Sequence, residues 1–189
     1  LCAGRTGQLL NMNSLAIETG VDNKTIASWL SVLETSFIVF RLQPYHKNYN
    51  KRIVKMPKLY FYDTGLASAL LGIENKEQLS LHPFRGALFE NMVVLEFLKN
   101  RFNHGKTNNL FFWRDNVGTE IDLLIEYTER LVPIEIKSGQ TITDAYFKSL
   151  TTWCKITGID TGYVIYAGNQ TQKRSNGITV LPYTSTNFF

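Results

Sequence analysis

From residue 13 to residue 34 the apolar positions recur at helical spacing, in two bursts separated by a glycine. Leu15, Ala16 and Ile17 give the first burst an apolar side, Ser14 stands where an N-cap belongs, and Gly20 can close the helix in the left-handed conformation. Asp22 can cap a second helix over 23–34, with Ile26, Trp29, Leu30 and Leu33 on one buried face. The pattern then changes to short apolar runs, which predict strands over 37–42 and 58–62. A short helix over 66–71 is stopped by Gly72, and 73–83 is polar and rich in helix breakers. A strong amphipathic helix is predicted over 84–101, then a strand over 110–113 that ends in the turn Arg114-Asp115-Asn116. Two strands follow over 118–126 and 131–137, then a helix over 144–155 with Phe147, Leu150 and Trp153 facing inward. Strands over 163–167 and 178–181 flank a polar loop at 168–177.

This order predicts an α/β chain, α+β overall, in two domains. Helix, turn, helix and a hairpin with a basic connection is the order of a winged helix-turn-helix, assigned to 1–78; the alternative is a helical hairpin that packs on a neighbouring domain. The remainder, 79–189, is predicted to be a sheet flanked by helices. The helix between the strands at 131–137 and 163–167 favours parallel pairing, so that sheet is expected to be mixed.

The chemistry concentrates on the two central strands. With period two, Glu120, Asp122, Leu124 and Glu126 face one way and Ile121, Leu123 and Ile125 the other; in the next strand Glu135 and Lys137 oppose Ile134 and Ile136. Two carboxylates and an ammonium converging at a strand end can bind Mg²⁺ through hard oxygen donors and position a water. A sheet with one solvated face and a surface Glu/Lys pair is the alternative. Glu90 is the odd residue of the 84–101 helix, because its helical neighbours Gly86, Ala87, Val93, Val94 and Phe97 make that side apolar. An ionised carboxylate there needs a cation, a metal or hydrogen-bond donors, and a buried pairing with an arginine would also serve. Glu96, beside Lys99 and Asn100, has a polar exit.

Composition narrows the classes. The 189 residues are 44% hydrophobic and 19% charged, as in an ordinary globular protein, and no apolar run reaches the roughly 20 residues that span a bilayer. Cys2 and Cys154 form neither a CxxC pair nor a disulfide framework, which suits a reducing, cytoplasmic setting; no signal peptide is evident, and Leu1 at the start fits a piece of a longer chain. His46, His82 and His104 are too scattered for a zinc site or a serine triad. The net charge of +4 is unevenly spread: no acid falls between Glu34 and Asp63, while Arg41, Lys47, Lys51, Arg52, Lys55 and Lys58 do, interleaved with Tyr45, His46 and Tyr49. That stretch is a candidate phosphate-backbone contact, with Asn23, Lys24 and Ser28 of the second helix as further DNA-facing candidates; its alternative is a solvated hairpin whose lysines protect an edge strand.

Helix with Glu90, strand with Asp122, strand with Glu135-Ile136-Lys137, helix: this order resembles the PD-(D/E)XK nuclease superfamily. More narrowly, the chain is similar to the C-terminal region of predicted bacterial and archaeal AAA-type ATPases, in which a winged helix and a nuclease-like domain follow the ATPase core. The stretches that carry the likeness are Gly4-Arg5-Thr6-Gly7-Gln8-Leu9-Leu10, Pro57-Lys58-Leu59-Tyr60-Phe61-Tyr62-Asp63-Thr64-Gly65-Leu66, Gly86-Ala87-Leu88-Phe89-Glu90-Asn91, Phe112-Trp113-Arg114-Asp115 with Glu120-Ile121-Asp122, and Ile134-Glu135-Ile136-Lys137-Ser138. The resemblance implies Mg²⁺ held by Asp122 and Glu135, a water oriented or deprotonated by Lys137, and assistance from Glu90. No GxxxxGK[ST] loop occurs in the chain, so ATP would enter only through a domain upstream of Leu1. The implied function is the DNA-binding, nuclease-like module of such an ATPase, with duplex DNA and the ATPase domain as partners, no membrane, and oligomerisation compatible. The rival is a non-catalytic DNA- or protein-interaction module with a relic site; a third, a transcription regulator, would read sequence through residues 23–28.

Overall fold

Asn11, not Ser14, opens the first helix: its side chain accepts the Ser14 N–H, and α1 (Met12–Thr19) ends on Gly20 at φ 72°. Asp22 caps α2 (Asn23–Thr35) as expected; the Thr25 N–H donating to its carboxylate holds that group below its usual pKa. Ile26 and Leu30 are buried, but Trp29 is half-exposed, so the packed stripe of α2 is narrower than its apolar spacing suggests. The computed structural model describes residues 1–46 and 53–185; Lys47, Lys51 and Arg52 of the candidate DNA-contacting stretch therefore lie outside the described residues.

Packing divides the chain into two compact units, Leu1–Leu42 with Met56–Asn91 and Gln43–Lys55 with Met92–Phe189, whereas the pattern along the chain points to a sequential division at 78/79. In the first unit, α1 and α2 lead to β1 (Val39–Pro44), whose first residues pair antiparallel with β2 (Lys58–Phe61) from Val39↔Phe61 to Leu42↔Lys58. This is the expected helix–turn–helix and hairpin order. The hairpin begins two residues later than predicted because Phe37, exposed and at φ 54°, still belongs to the turn. α3 (Thr64–Leu70) is capped by Asp63, which accepts the Gly65 and Leu66 N–H groups. A further short helix, α4 (Lys76–Leu81), sits in the stretch read as irregular, with Asn75 as its cap. The core of the unit gathers Leu15, Ile26, Leu30, Val39, Leu59 and Phe61.

The second unit is built on a mixed sheet in the order β1 (through Gln43 and Pro44), β3 (Leu110–Arg114), β4 (Glu120–Glu126), β5 (Leu131–Lys137), β6 (Gly162–Tyr166), β8 (Ile178–Pro182) and β7 (Gln172–Lys173). β3, β4 and β5 are antiparallel neighbours, and β5, β6 and β8 run parallel. The two-residue β7 falls in the loop expected at 168–177. The crossover from β5 to β6 is made by α6 (Lys148–Thr157), which packs on β4 and β5 through the fully buried Leu150 and Trp153. The ring of Trp153 meets Trp113 edge-on at 4.7 Å. α5 (Arg85–Asn103) supplies residues 85–91 to the first unit and 92–103 to the second. The described helices include none long and apolar enough to cross a membrane.

Gly177 precedes β8 at φ 81°, and a Cβ there would lie 2.0 Å from the carbonyl oxygen of Asp160. Gly177→Ala is therefore expected to cost more than about 1 kcal/mol, a fall in Tm of more than about 2–4 °C by calorimetry, because both the backbone angle and the backbone contact oppose it. Gly118→Ala, also at positive φ but with open space around its Cβ position, should cost less.

Candidate functional site

In the first unit, Glu90 has found the cation that its apolar surroundings demand. Lys58 Nζ lies 2.8 Å from Glu90 Oε1, and the Tyr60 hydroxyl donates to the same oxygen at 2.5 Å. Lys58, which the charge pattern placed in a solvated basic run, is 2% exposed, and Tyr60 is fully buried. The partner is a lysine from the neighbouring strand, not an arginine. One residue on, Asn91 is buried and spans both backbone groups of Phe61: it accepts the Phe61 N–H and donates to the Phe61 carbonyl, both at 2.8 Å. The helix thus completes the hydrogen bonds of β2 with a side chain.

Arg41 also leaves the basic run, since its guanidinium makes a two-point contact with Glu34 at 2.5 and 2.6 Å. Lys24, Ser28 and Lys55 are exposed, as the DNA-facing expectation requires; Asn23 is exposed too, with its side-chain amide on Asn13.

In the second unit, the antiparallel ladder of β4 and β5 runs from Glu126↔Leu131 to Leu123↔Ile134. One step further the same register sets Asp122 opposite Glu135. There the Asp122 Oδ2 accepts the Ile136 N–H at 2.7 Å, so a carboxylate takes the place of a ladder carbonyl. Lys137 Nζ stands 2.5 Å from Glu135 Oε1 and 4.0 Å from Asp122 Oδ2. Asp122 and Glu135 are both buried, in strands that each carry five consecutive buried residues. A sheet with one solvated face is thereby corrected. Burial of two facing acids is tolerable because an ammonium and a backbone N–H lie among them. Asp122, Glu135 and Lys137 are thus brought together as their spacing predicts.

Sequence reasoning missed two companions. Glu120, two residues before Asp122 on the same strand face, brings a carboxylate oxygen within 4.8 Å of one on Asp122. Two oxygens that share one ion can be no further apart than twice the ligand distance, about 4.2 Å for Mg²⁺ and about 5.2 Å for Ca²⁺, so this pair is of the right scale for a hard divalent cation. Arg114, opposite Glu120 in the β3–β4 register, makes an ion pair with it at 2.9 Å. The signal for Glu120 was present in the period-two pattern; that for Arg114 was hidden by a register shift between Phe111 and Trp113.

Cys154 is not placed as a competing nucleophile. Burial, and after it the neighbouring Asp160 carboxylate, raises the pKa of the Cys154 thiol, which disfavours the thiolate. His82 Nδ1 accepts the Phe84 N–H, and His104 Nδ1 lies 2.7 Å from the Asn100 carbonyl, so both serve their local turns.

Residues 1–77 match a family described as Domain of unknown function (DUF8612), and residues 85–186 match Domain of unknown function (DUF4143), which covers more than half of the chain. Two curated relatives are similar over 176 residues at 31% identity: the uncharacterized protein Rv2008c of Mycobacterium tuberculosis (strain ATCC 25618 / H37Rv) and the uncharacterized protein Mb2031c of Mycobacterium bovis (strain ATCC BAA-935 / AF2122/97). Each comparison takes in 93% of this chain and 38% of the relative, so the chain spans well under half the length of these proteins. No solved structure matches. With its strand pair, crossover helix and flanking strands inside the matched 85–186 region, the chain belongs to the DUF4143 family.

Proposed function

We propose that this chain is the DNA-binding, nuclease-like part of a larger AAA-type ATPase, and that Asp122, Glu135 and Lys137 serve Mg²⁺-dependent phosphodiester hydrolysis. The observation that carries it is the pair of buried carboxylates facing each other across β4 and β5 with Lys137 beside both. These donors fit a hard divalent ion: Asp122 and Glu135 would hold it, joined by the main-chain oxygen of Ile136 and by Glu120. When bound, Mg²⁺ supplies Lewis acidity to a water and to the phosphoryl oxygens. Lys137 orients that water by donating to it and offsets negative charge as it develops. The Ile136 N–H keeps the Asp122 side chain from rotating away from the site. Lys24 and Ser28 on α2, with Lys55, offer backbone-phosphate contacts, which makes affinity fall with salt. Membership of an ATPase rests on the resemblance and on relatives more than twice as long as this chain.

One observation favours the rival, a non-catalytic module with a relic site: the 2.5 Å contact places the Lys137 ammonium on a carboxylate that an ion would need. Metal binding separates the two. Mn²⁺ or Mg²⁺ at about 100 times its Kd stabilises a folded site by about 2.7 kcal/mol, an expected rise of about 5–10 °C in the Tm of this 189-residue chain by scanning calorimetry. Asp122→Asn and Glu135→Gln should abolish that rise. No rise in the parent protein, together with no Mg²⁺-dependent cleavage of plasmid or linear DNA, leaves the relic reading.

A further inference from the structure

β4 carries an extra residue relative to β3, with Asp122 and Leu123 set against the single Phe112. Phe111 faces Leu124, yet Trp113 faces Ile121 and Arg114 faces Glu120, so the register slips by one between Phe111 and Trp113. Without that bulge Arg114 would face Ile121, a fully buried apolar residue. A bulge re-aims the side chains beyond it, and here it turns a guanidinium to stand opposite a carboxylate. The strand end is fixed on both sides of Arg114: its carbonyl accepts the Val54 N–H at 2.9 Å, and the buried Asp115 carboxylate accepts the N–H groups of Val117 and Thr119.

From Arg114 a continuous line of charged groups leads to the candidate site. Arg114 Nη1 lies 2.9 Å from Glu120 Oε2; Glu120 and Asp122 come within 4.8 Å; Asp122 Oδ2 lies 4.0 Å from Lys137 Nζ, which reaches Glu135. Three carboxylates at one end of a sheet repel an anionic substrate, and a cation held beside them is needed to seat it. The Arg114 side chain is 38% exposed and therefore meets solvent along part of its length while Glu120 holds one edge of its guanidinium. A guanidinium fork fits two phosphate oxygens where an ammonium meets them as a point charge.

We infer that Arg114 is a substrate-binding residue that grips a nucleic-acid phosphate next to the site, with Glu120 as its positioning residue. This rests on the nucleic-acid function proposed above. The test uses the full-length protein carrying Asp122→Asn, so that DNA stays uncut, and a fluorescent duplex titrated from low to moderate salt. Adding Arg114→Gln should weaken binding about tenfold, as expected for loss of a charge-assisted hydrogen bond, and flatten the slope of log affinity against log salt by about one. Arg114→Lys should keep the slope and lose part of the affinity. In the Asp122-intact protein, Arg114→Gln should keep the Mn²⁺-induced rise in Tm, which shows that the fold and the carboxylates are in place. If the Asp122→Asn protein binds DNA and Arg114→Gln changes neither affinity nor slope, the assignment of Arg114 falls and the wider function stands. If the protein binds no DNA at all, both fall.

Discussion

Asp122→Asn is expected to lower Mg²⁺-dependent DNA cleavage by a factor on the order of 10³, comparable to the loss of one preorganised charge-stabilising group. The substitution is chosen because it preserves shape. An asparagine oxygen can still accept the Ile136 N–H, which Asp122 Oδ2 now accepts at 2.7 Å, so β4 and β5 should stay aligned. What changes is charge: a neutral amide is a poor ligand for a hard cation, while Glu135 stays beside Lys137. Single-turnover cleavage of linear duplex, beside circular dichroism and DNA binding of the same preparation, checks it. Lost cleavage with intact fold and binding supports catalysis through Asp122. An Asp122→Asn protein that cuts as fast as its parent removes Asp122 from the chemistry.

How far the chain could be read depended on how local each signal was. α2 was legible because Asp22, Ile26 and Leu30 sit at fixed spacings within one helix, and each plays its expected part. The partnership of Asp122 with Glu135 and Lys137 was legible because a short turn between two strands fixes their register. α4 escaped because six residues are too few to display a helical period; only its cap, Asn75, marked it. The Arg114–Glu120 pair escaped for a different reason. Neither Phe112 nor Asp122 and Leu123 opposite it announces a bulge, since no glycine stands there, and a slip of one residue reverses which side chains face each other. Lys58 escaped for a third reason: the acid that permits its burial lies 32 residues away on another element, beyond any local pattern.

That long-range pair supplies the largest expected effect on stability. Lys58→Met is expected to destabilise the first unit by about 3–5 kcal/mol, the cost of leaving a mostly buried carboxylate without its cation. Methionine nearly matches the lysine stem in volume, so the loss is that of charge and hydrogen bonding and not of packing. Glu90 would keep the Tyr60 hydroxyl, a neutral donor that replaces only part of what the ammonium gives. Neutralising both members should therefore recover much of the loss: Lys58→Met with Glu90→Gln is expected to be more stable than Lys58→Met alone. A double-mutant cycle measured by urea unfolding, with a probe in the first unit such as the half-exposed Trp29, yields the coupling directly. A coupling near zero would mean that the acid is solvated well enough to stand alone. A coupling above about 2 kcal/mol would establish that β2 and the start of α5 are joined through this charge pair, and that the lysine-rich appearance of the stretch before Asp63 conceals a cation the core requires.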